Sequence, residues 1–251
     1  MISFSNTSSI TLHKNDEKRS MNNDSCESCQ LRRNSKFADV SFCNLPLLDK
    51  EKSCQTFKRG QLLLHEGGRP HGVFCIKSGK VKVFKLGSQG REQITTVLKA
   101  GDLIGYRAML SDSQYHVSVE ALEDTVACHI PKESFLEIFH KDKGLNSQVI
   151  SDLSAEVIYL TSAITDIAQK PVRERVAAAL YMLYNVYFDK DRNVSDPINL
   201  TRESLANIVG TATETLIRIL HDFKEEKLIT SSGRKITVTD LHNLQRIGGI
   251  Y

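Results

Sequence analysis

Short hydrophobic runs separated by glycines fill the first half of this chain. Nine of the fourteen glycines fall between Gly60 and Gly105, and they separate runs rich in β-branched and aromatic residues. Short strands at near-regular spacing with glycine turns are typical of an all-β barrel or a double-sheet jelly roll. The predicted strands are 61–65, 73–77, 80–86, 93–99, 117–122 and 125–130.

The hydrophobic period lengthens to that of a helix after residue 131. We predict a helix over 132–140 and a long one over 145–169. In the long helix, apolar residues recur at intervals of 3, 4, 3, 4 and 3 residues, at Ile150, Leu153, Val157, Leu160, Ile164 and Ile167. Such an a/d seam, with Ser, Thr and Ala between its members, favours a coiled-coil dimer. The alternative is a helix packed on its own barrel.

A proline separates the long helix from the C-terminal part of the chain. Pro171 has no N–H to donate and restricts the residue before it, so the helix ends there. Another helix is predicted over 172–188, followed by a polar loop over 189–197. The C-terminal part is therefore a separate unit that begins at a hinge.

The stretch 201–238 predicts two short helices and a β-hairpin. Thr201 is a good N-cap, and Gly210 breaks the first helix, because glycine adopts the left-handed conformation of a tight turn at little cost. The second helix opens at Thr211, and its apolar stripe is formed by Leu216, Ile219, Leu220 and Phe223. A turn at 231–233 and a strand over 234–238 complete a winged helix-turn-helix. The alternative is an ordinary helical hairpin.

The second of these helices carries side chains of the types that reach base edges in the major groove of DNA. The residues expected on this face are Thr211, Thr213, Glu214, Ile217 and Arg218. Cations and N-terminal amides suit phosphate, so a backbone-binding role is expected at Thr201, Arg202, Arg234 and Lys235. Residues 201–236 carry six Lys or Arg residues against five acidic ones. The DNA-binding hypothesis therefore rests on the pattern and not on charge.

Composition limits the class of protein and its location. With 251 residues, 40% hydrophobic content and a net charge of +3, the chain fits two modest domains. No apolar run approaches the ~18 residues of a membrane span, and the N-terminus lacks the apolar core of a signal peptide. We therefore expect a cytoplasmic protein with no membrane partner. The chain has no catalytic triad, H-E-x-x-H motif or phosphate-cradling loop, so we expect no enzyme.

The predicted elements define an α+β fold in four parts. We expect a disordered leader over 1–25, an effector-sensing β-barrel domain over 26–140, a dimerisation helix over 141–170 and a DNA-binding domain over 171–251. The leader is rich in Ser, Asn, Lys and Asp, a composition typical of disorder. Met21 leaves a second candidate start site besides Met1.

All six cysteines lie at or before position 128. In a chain with no export signal they are interpreted as reduced thiols or metal ligands, not as a disulfide framework. Cys26 and Cys29 form a C-x-x-C pair at the junction of leader and barrel, which fits a metal site or an accessible dithiol switch. Cys75 and Cys128 lie inside apolar runs and are equally interpreted as small buried hydrophobes.

A jelly roll, a dimer helix, a proline hinge and a C-terminal winged helix-turn-helix together resemble the CRP/FNR family of bacterial transcription regulators. The resemblance covers roughly residues 26–240, and its most specific segments are 90–110, 121–131, 171–183 and 210–220. It implies an N-terminal cyclic-nucleotide-binding-type barrel that biases two recognition helices in a homodimer. Two-fold symmetry then places these helices ~34 Å apart on a palindromic site. RNA polymerase is the further partner that the resemblance implies.

The resemblance also bears on base reading. It places Glu214 and Arg218 on the two base-reading positions of the family, which favour a half-site containing TGA. Ile217 differs from the residue that either main branch carries at its position, so the preference for the outer base should differ. A non-DNA-binding interaction module built on the coiled-coil seam is the alternative function.

The cAMP-binding branch of the family holds its nucleotide with a glutamate and an arginine, because a buried cyclic phosphate needs a fixed cation. In this chain, Gly105, Tyr106 and Arg107 replace the segment that carries the glutamate, and Tyr115 and His116 replace the pair that carries the arginine. The resemblance therefore implies that cAMP is not the effector, although Arg107 is a candidate substitute cation.

The chain resembles the FNR-like branch more closely, in which four thiolates hold a [4Fe–4S] cluster. Cys26 and Cys29 match the C-x-x-C pair of that branch, and Cys128 matches its distant barrel cysteine. Ser35 stands where the branch carries a further cysteine, so Cys43 is the expected fourth ligand. A dithiol switch without iron and an effector that the sequence does not name are the alternatives.

Overall fold

The structure is a computed structural model that describes residues 25–189 and 193–250. The predicted leader over 1–25 lies outside these residues, apart from Ser25. The described chain begins with an N-terminal segment, residues 25–52, in which 3-10 helices at Arg32–Asn34 and Phe42–Asn44 precede a short helix, α1, at Leu45–Asp49. This segment lies against the barrel, which begins at residue 53.

Two four-stranded antiparallel sheets form the predicted jelly roll. Numbered in chain order, the first sheet runs β1-β8-β3-β6 and consists of Ser53–Phe57, Thr125–Pro131, Gly72–Ser78 and Leu103–Ile104. The second runs β2-β7-β4-β5 and consists of Leu62–Leu64, Ser118–Ala121, Lys80–Leu86 and Glu92–Lys99. All six predicted strands are confirmed. The strands β1 and β6 were not predicted, because β1 is a largely polar edge strand and β6 has only two residues.

Alternate residues of the strands fill the space between the two sheets. Ile76 and Ala127 of the first sheet meet Val81, Val119 and Ala121 of the second in one buried cluster. Successive side chains of a strand point to opposite faces, so the first sheet also presents an outer face that must be covered.

Helices and the N-terminal segment cover that outer face. The helix α3, at Lys132–Lys141, contributes Phe135 to the cluster, and the long helix α4, at Lys143–Gln169, contributes Leu145. Phe37 of the N-terminal segment packs into the same cluster. A short helix, α2, lies between β6 and β7 at Tyr106–Leu110 and also belongs to this side of the barrel.

Only the first turns of α4 are buried by the barrel. Leu153 packs partly against the barrel cluster, and Lys36 of the N-terminal segment forms an ion pair with Asp152 at 2.8 Å. The other seam members are exposed, namely Ile150, Val157, Leu160, Ile164 and Ile167. The alternative of a helix packed on its own barrel therefore does not account for the exposed seam. Neither α4 nor any other helix of the described residues is long and apolar enough to cross a membrane.

Asp142 caps α4 and joins it to the N-terminal segment. Its Oδ1 accepts a hydrogen bond from the Leu145 N–H at 2.9 Å, and its Oδ2 accepts from the Ser41 N–H at 2.9 Å and from Asn44 Nδ2 at 2.8 Å. Burial opposes ionisation, but the hydrogen bonds outweigh it and lower the pKa of Asp142 from 3.8 to about 2.

We expect Asp142→Ala to lower the free energy of unfolding by about 1–3 kcal/mol at neutral pH, because it removes an N-cap and leaves buried donors without an acceptor. The pKa of Asp142 is depressed on folding, so its contribution is fully present above pH 3.8 and is lost as the pH falls toward 2. Urea unfolding of both proteins across this interval is the measurement. A difference that stays constant through the interval would mean that the ionised carboxylate is not what stabilises the helix.

The C-terminal domain begins at the predicted hinge. The helix α5, at Val172–Tyr187, follows Pro171 directly, which confirms the predicted break. The predicted polar loop over 189–197 instead takes part in a short pairing of β9, at Phe188–Asp189, with β10, at Val194–Ser195. Two-residue strands have no hydrophobic period, so the sequence pattern does not reveal them.

The helix-turn-helix and its wing complete this domain. Its helices are α6 at Arg202–Val209, α7 at Thr213–Glu225 and α8 at Leu241–Ile247. A three-stranded sheet in the order β11-β13-β12 consists of Ile198–Asn199, Lys235–Val238 and Ile229–Ser232. The buried residues of the domain form one cluster that also takes in Val97 and Leu122 of the barrel. The two domains therefore pack against each other.

Gly210 fixes the angle between α6 and α7. Its φ of +71° lies in the left-handed region, and a Cβ added there would meet nothing closer than 3.9 Å. We therefore expect Gly210→Ala to destabilise the protein by about 1–2 kcal/mol through the backbone alone. Gly87→Ala is the control, because Gly87 has no positive φ and ordinary contact distances. Equal thermal unfolding of the two variants would contradict a left-handed break between the helices.

Candidate functional site

The helix-turn-helix is closed by local hydrogen bonds. Thr201 Oγ1 accepts from the Ser204 N–H at 2.9 Å and so caps α6, as predicted. The N–H groups of Gly210 and Thr211 both bond to the Ala206 carbonyl, at 2.9 and 3.1 Å, which ends the helix. The second helix begins at Thr213, two residues after its predicted start, because Thr211 belongs to the turn.

One face of α7 is polar and uncovered. Glu214 and Arg218 lie four residues apart and hence on one face, and both are exposed. Within residues 25–189 and 193–250 neither forms a salt bridge. Ile217, beside them, is 51% exposed, while the predicted apolar stripe of Leu216, Ile219, Leu220 and Phe223 is buried. The helix therefore presents an unpaired acid and an unpaired arginine in a geometry that suits base edges.

Arg202 holds the wing instead of standing free. Its Nη2 donates to the Gly233 carbonyl in the turn of the wing at 3.1 Å. Its Nη1 is buried without a partner among the described residues, and burial lowers the pKa of the guanidinium. Thr201 is likewise occupied by capping. The side chains expected to bind phosphate here thus serve first to fix the helix and the wing in place.

The wing carries two exposed cations. β12 and β13 pair antiparallel, with Ser232 opposite Lys235, and Gly233 turns the hairpin with a φ of +56°. Arg234 and Lys235 are exposed at its tip. The exposed polar face of α7 and the two exposed cations of the wing belong to the same C-terminal domain.

Lys235→Ala should weaken the binding of all DNA sequences about equally, because a phosphate contact carries no sequence information. The slope of log affinity against log salt should fall by about one unit. Lys141→Ala, which removes the same charge from α3 of the barrel, is the matched control. Binding titrations at several salt concentrations give the slope, and an unchanged slope would mean that the wing tip lies away from DNA.

The barrel touches the turn of the helix-turn-helix. Gln93 Nε2, on β5, donates to the Asn207 carbonyl at 2.7 Å, and Arg91 donates to the Thr211 carbonyl. These contacts could not be predicted from the sequence, because a polar side chain at or just before the start of a strand gives no local sign of a distant partner. They connect the barrel directly to the turn that sets the position of α7.

A cavity between the N-terminal segment and the first sheet is lined by four cysteines, Cys26, Cys29, Cys75 and Cys128. We call it the thiol cavity. Ser35 also lines it, at the place where the FNR-like branch carries a cysteine. The apolar run around Cys75 indicated only a buried hydrophobe, because the packing of the N-terminal segment on β3 leaves no sequence signal.

Cys43 does not join these thiols. It is exposed in the 3-10 helix Phe42–Asn44 and does not line the cavity, so the structure does not bring the expected fourth ligand to the other three. Cys26 and Cys29 are half-buried, in contrast to the accessible pair that the sequence suggested. Cys75 is the thiol that the structure offers in place of Ser35.

The expectation that all six cysteines are reduced is wrong for two of them. Cys54 of β1 and Cys128 of β8 form a disulfide across two neighbouring strands. Sequence spacing gives no sign of this bond, because its two residues are 74 positions apart and meet only through the antiparallel register. In this oxidised form Cys128 is not a free thiolate.

The polar surroundings of Cys26 distinguish it from a surface thiol. Its N–H donates to Asp49 Oδ1 at 2.8 Å, and Lys52 Nζ donates to its Sγ at 3.4 Å and to Asp49 at 2.7 Å. Burial raises the pKa of Cys26 to about 11, although Lys52 opposes the shift. Burial likewise raises the pKa of Cys75 to about 12. Both are protonated thiols at neutral pH unless a metal displaces the proton.

The donors of the thiol cavity are not gathered around a single ion. Among the described residues, no three side chains of the types His, Cys, Asp and Glu converge as a mononuclear site would require. An iron–sulfur cluster spreads its ligand sulfurs more widely than one ion does. Three cations, Arg32, Lys52 and Lys77, line the same cavity and add positive charge around the thiols.

A second cavity lies between α4 and the second sheet, where the resemblance places the effector. Arg107 lines it and pairs with Glu156 of α4, while Tyr159 donates from its hydroxyl to the Thr95 carbonyl at 3.3 Å. His116 lines the cavity where an arginine would face a cyclic phosphate. The candidate substitute cation thus lies at the cavity but is exposed, and its charge is already paired.

Comparison with known proteins agrees with this architecture. The family model of the cyclic nucleotide-binding domain matches residues 54–142, and that of the Crp-like helix-turn-helix domain matches residues 174–247. The fumarate and nitrate reduction regulatory protein of Vibrio cholerae is 29% identical over 205 residues, which cover 81% of this chain and 80% of the relative. The protein of that name from Escherichia coli shows the same identity and coverage.

Solved structures show the same fold. A CRP/FNR-family transcriptional regulator from Thermus thermophilus superposes with a TM-score of 0.65 at 22% identity, over 78% of this chain and 98% of that one. FixK2 from Bradyrhizobium japonicum gives a TM-score of 0.67 at 21% identity, over 78% and 96% of the two chains. With both domains matched, their order preserved and α7 exposed beside a wing, the chain belongs to the CRP/FNR family of DNA-binding transcriptional regulators.

Proposed function

We propose that this regulator binds a palindromic DNA site as a homodimer. The observation that carries the proposal is the uncovered apolar seam of α4, where five of the six seam residues are exposed. Contiguous apolar surface of this extent marks an interface in soluble proteins. Because the seam repeats at heptad spacing, a second copy of the same helix fits it, and two-fold symmetry brings two α7 helices to one face about 34 Å apart.

The test compares three duplexes: a full palindrome of two half-sites that contain TGA, a single such half-site, and a scrambled sequence. We expect a dimer in sedimentation equilibrium and much tighter binding to the palindrome than to the half-site. A monomer that binds both equally would contradict the homodimer. A protein that binds none of the three would favour the interaction module built on the α4 seam. As a regulator that acts on DNA, the protein works in the cytoplasm, with RNA polymerase as the further partner.

The thiol cavity is the site that we propose for the signal. Soft thiolate ligands suit iron–sulfur centres, and a cluster held by four thiolates carries a net negative charge that nearby cations offset. The thiols are those of Cys26, Cys29, Cys75 and Cys128. Cys75 supplies the fourth thiolate ligand, which Ser35 cannot supply. When bound, a [4Fe–4S] cluster would supply oxygen-sensitive redox chemistry at this place.

The chain's own residues connect this cavity to the dimer helix. Ser35 lines the cavity, and the next residue, Lys36, forms the ion pair with Asp152 of α4. The Lys36 N–H also bonds to the Gly101 carbonyl at 3.1 Å, so the segment is fixed to both the barrel and the helix. A rearrangement of the N-terminal segment around the thiols would therefore alter the position of α4, and with it the relative orientation of the two DNA-binding domains.

Two cysteine variants separate the ligand sets. Protein purified without air should absorb as an iron–sulfur protein, contain iron and sulfide, and lose its colour in air. We expect Cys75→Ser to lose the iron and Cys43→Ser to retain it, because Cys75 lines the cavity and Cys43 does not. The reverse result would restore Cys43 as the fourth ligand.

If neither the wild type nor the two variants contain iron, the dithiol switch is the remaining explanation of a response at the thiol cavity. In that case a Cys26→Ser, Cys29→Ser double variant should bind DNA without the response to thiol reductants that the wild type shows. If the double variant and the wild type respond alike, the thiol cavity is not the sensor, and the second cavity becomes the place to search for a small-molecule signal.

A further inference from the structure

Three cysteines form a row across the first sheet. In the antiparallel register, Cys54 of β1 stands opposite Cys128 of β8, and Cys128 stands opposite Cys75 of β3. Directly opposed residues point to the same face of a sheet and bring their Cβ atoms to about 4.5–5.5 Å. The sulfur of Cys128 therefore has a cysteine on either side.

The two neighbours of Cys128 belong to different surroundings. Cys75 and Cys128 line the thiol cavity together with Cys26 and Cys29, whereas Cys54 does not line it. Cys54 lies on β1, which is one of the two edge strands of the first sheet. Bonded to Cys54, the Cys128 sulfur is no longer a thiolate and cannot ligate a soft metal, because only the thiolate is a ligand.

We propose that Cys54 and Cys128 are a redox-reversible pair, and that their disulfide withdraws Cys128 from the thiol cavity. Cys54 is the resolving cysteine of this pair and has no part in metal binding. The withdrawal of Cys128 rests on the proposed use of this residue by an iron–sulfur cluster. The redox-reversible pairing of Cys54 with Cys128 does not depend on that cluster. Disulfides in proteins that work in a reducing compartment are usually transient or redox-sensing, which fits a reversible bond better than a permanent cross-link.

The oxidation balances with a hydroperoxide as the oxidant. The Cys128 thiolate attacks the terminal peroxide oxygen, the O–O bond breaks, and Cys128 becomes a sulfenic acid while the other oxygen leaves as an alcohol or water. The Cys54 thiol then attacks the sulfenic sulfur, the S–S bond forms, the S–O bond breaks and water leaves. Two thiols lose two electrons and the peroxide gains them. A dithiol reductant reverses the reaction by exchange and becomes a disulfide itself.

The bond would also change the mechanics of the sheet. β1 is paired on one side only, with β8, and five residues of each strand form this pairing. A covalent bond at its second residue fixes the edge strand to the strand that carries Cys128. The N-terminal segment continues directly into β1. The bond therefore lies two residues after the end of the segment that covers the thiol cavity.

The test uses the full chain, purified without air and freed of metal with a chelator, and hydrogen peroxide as the probe. After alkylation and digestion without reductant, mass spectrometry should find Cys54 linked to Cys128, and dithiothreitol should restore both thiols. The Cys43→Ser control should give the same link, and in Cys54→Ser the Cys128 peptide should carry no link to any cysteine. A link from Cys128 to Cys75, Cys26 or Cys29 in the wild type, or an unlinked Cys128, would overturn the pairing.

A second arm repeats the peroxide treatment after loading with ferrous iron and sulfide under nitrogen. The linked fraction should fall in proportion to the iron bound, because a ligated Cys128 is not available to Cys54. If iron is bound and the link forms as fast as before, the withdrawal of Cys128 is refuted. If no iron is bound to the wild type or to Cys54→Ser, the cluster of the proposed function fails, and the mapping of the metal-free protein still decides the disulfide pair.

Discussion

Ile164→Glu is expected to turn the protein into a monomer that no longer binds a palindromic site. Ile164 is 70% exposed in a single chain, so the substitution should cost little in the folded monomer. In the dimer, the same position is a seam position and would bury two like charges against each other. A penalty of about 4 kcal/mol, the order found for an uncompensated buried charge, weakens the dimer roughly a thousandfold. Leu160 is a less clean choice, because it also lines the second cavity.

Ser162→Glu is the matched control for this variant. Ser162 is exposed on the same helix but lies at the position of the heptad opposite the seam. The Ser162→Glu variant should remain a dimer and bind the palindrome as the wild type does. Sedimentation equilibrium at micromolar concentration gives the assembly state of all three proteins. If Ile164→Glu remains dimeric, the seam assignment is wrong, and the apolar side of α4 must be covered in another way.

Arg218→Ala is expected to lower the affinity for the specific site by about 1–3 kcal/mol, which is about fivefold to more than a hundredfold, and to affect random DNA much less. An arginine that bonds guanine O6 and N7 contributes only where that guanine is present. Arg218 is free to do so, since it is exposed and has no salt bridge among the described residues. The variant should also lose its discrimination against other bases at the position of that guanine.

Lys224→Ala removes the same charge from the last turn of the same helix and serves as the control. It should weaken specific and random DNA by similar, small factors. Binding of both proteins to a duplex in which the guanine is replaced completes a double-mutant cycle. The losses of binding free energy caused by the variant and by the base change should not be additive. An equal loss of affinity on specific and random DNA in Arg218→Ala would make Arg218 a phosphate contact.

The sequence was informative where structure is local. Gly210 predicted the break between α6 and α7, and Pro171 predicted the end of α4, because the backbone conformation at these residues follows from their own chemistry. The strand pattern of the barrel was readable because the glycine turns interrupt apolar runs. Two-residue strands and the polar edge strand β1 have no such pattern, so they could not be predicted.

The candidate sites show the same division. Glu214 and Arg218 could be placed on one face, since helical spacing alone puts them there. The thiol cavity depends instead on how the N-terminal segment packs on β3, which brings Cys75 to Cys26 and leaves Cys43 outside. The Cys54–Cys128 pair depends on the register between β1 and β8. Contacts between distant segments arise from tertiary packing, and a single sequence carries no direct record of them.

The hydrogen bonds from Gln93 and Arg91 to the turn of the helix-turn-helix have a consequence for the thiols. If a redox change in the barrel alters DNA affinity through this contact, thermodynamic reciprocity requires DNA to alter the redox equilibrium by the same factor. For a two-electron thiol–disulfide couple, a tenfold preference of DNA for one form shifts the midpoint potential by about 30 mV. Regulator molecules bound at their operators would then be oxidised or reduced at a different ambient potential from free ones, so the occupied promoter itself would set part of the threshold of the sensor.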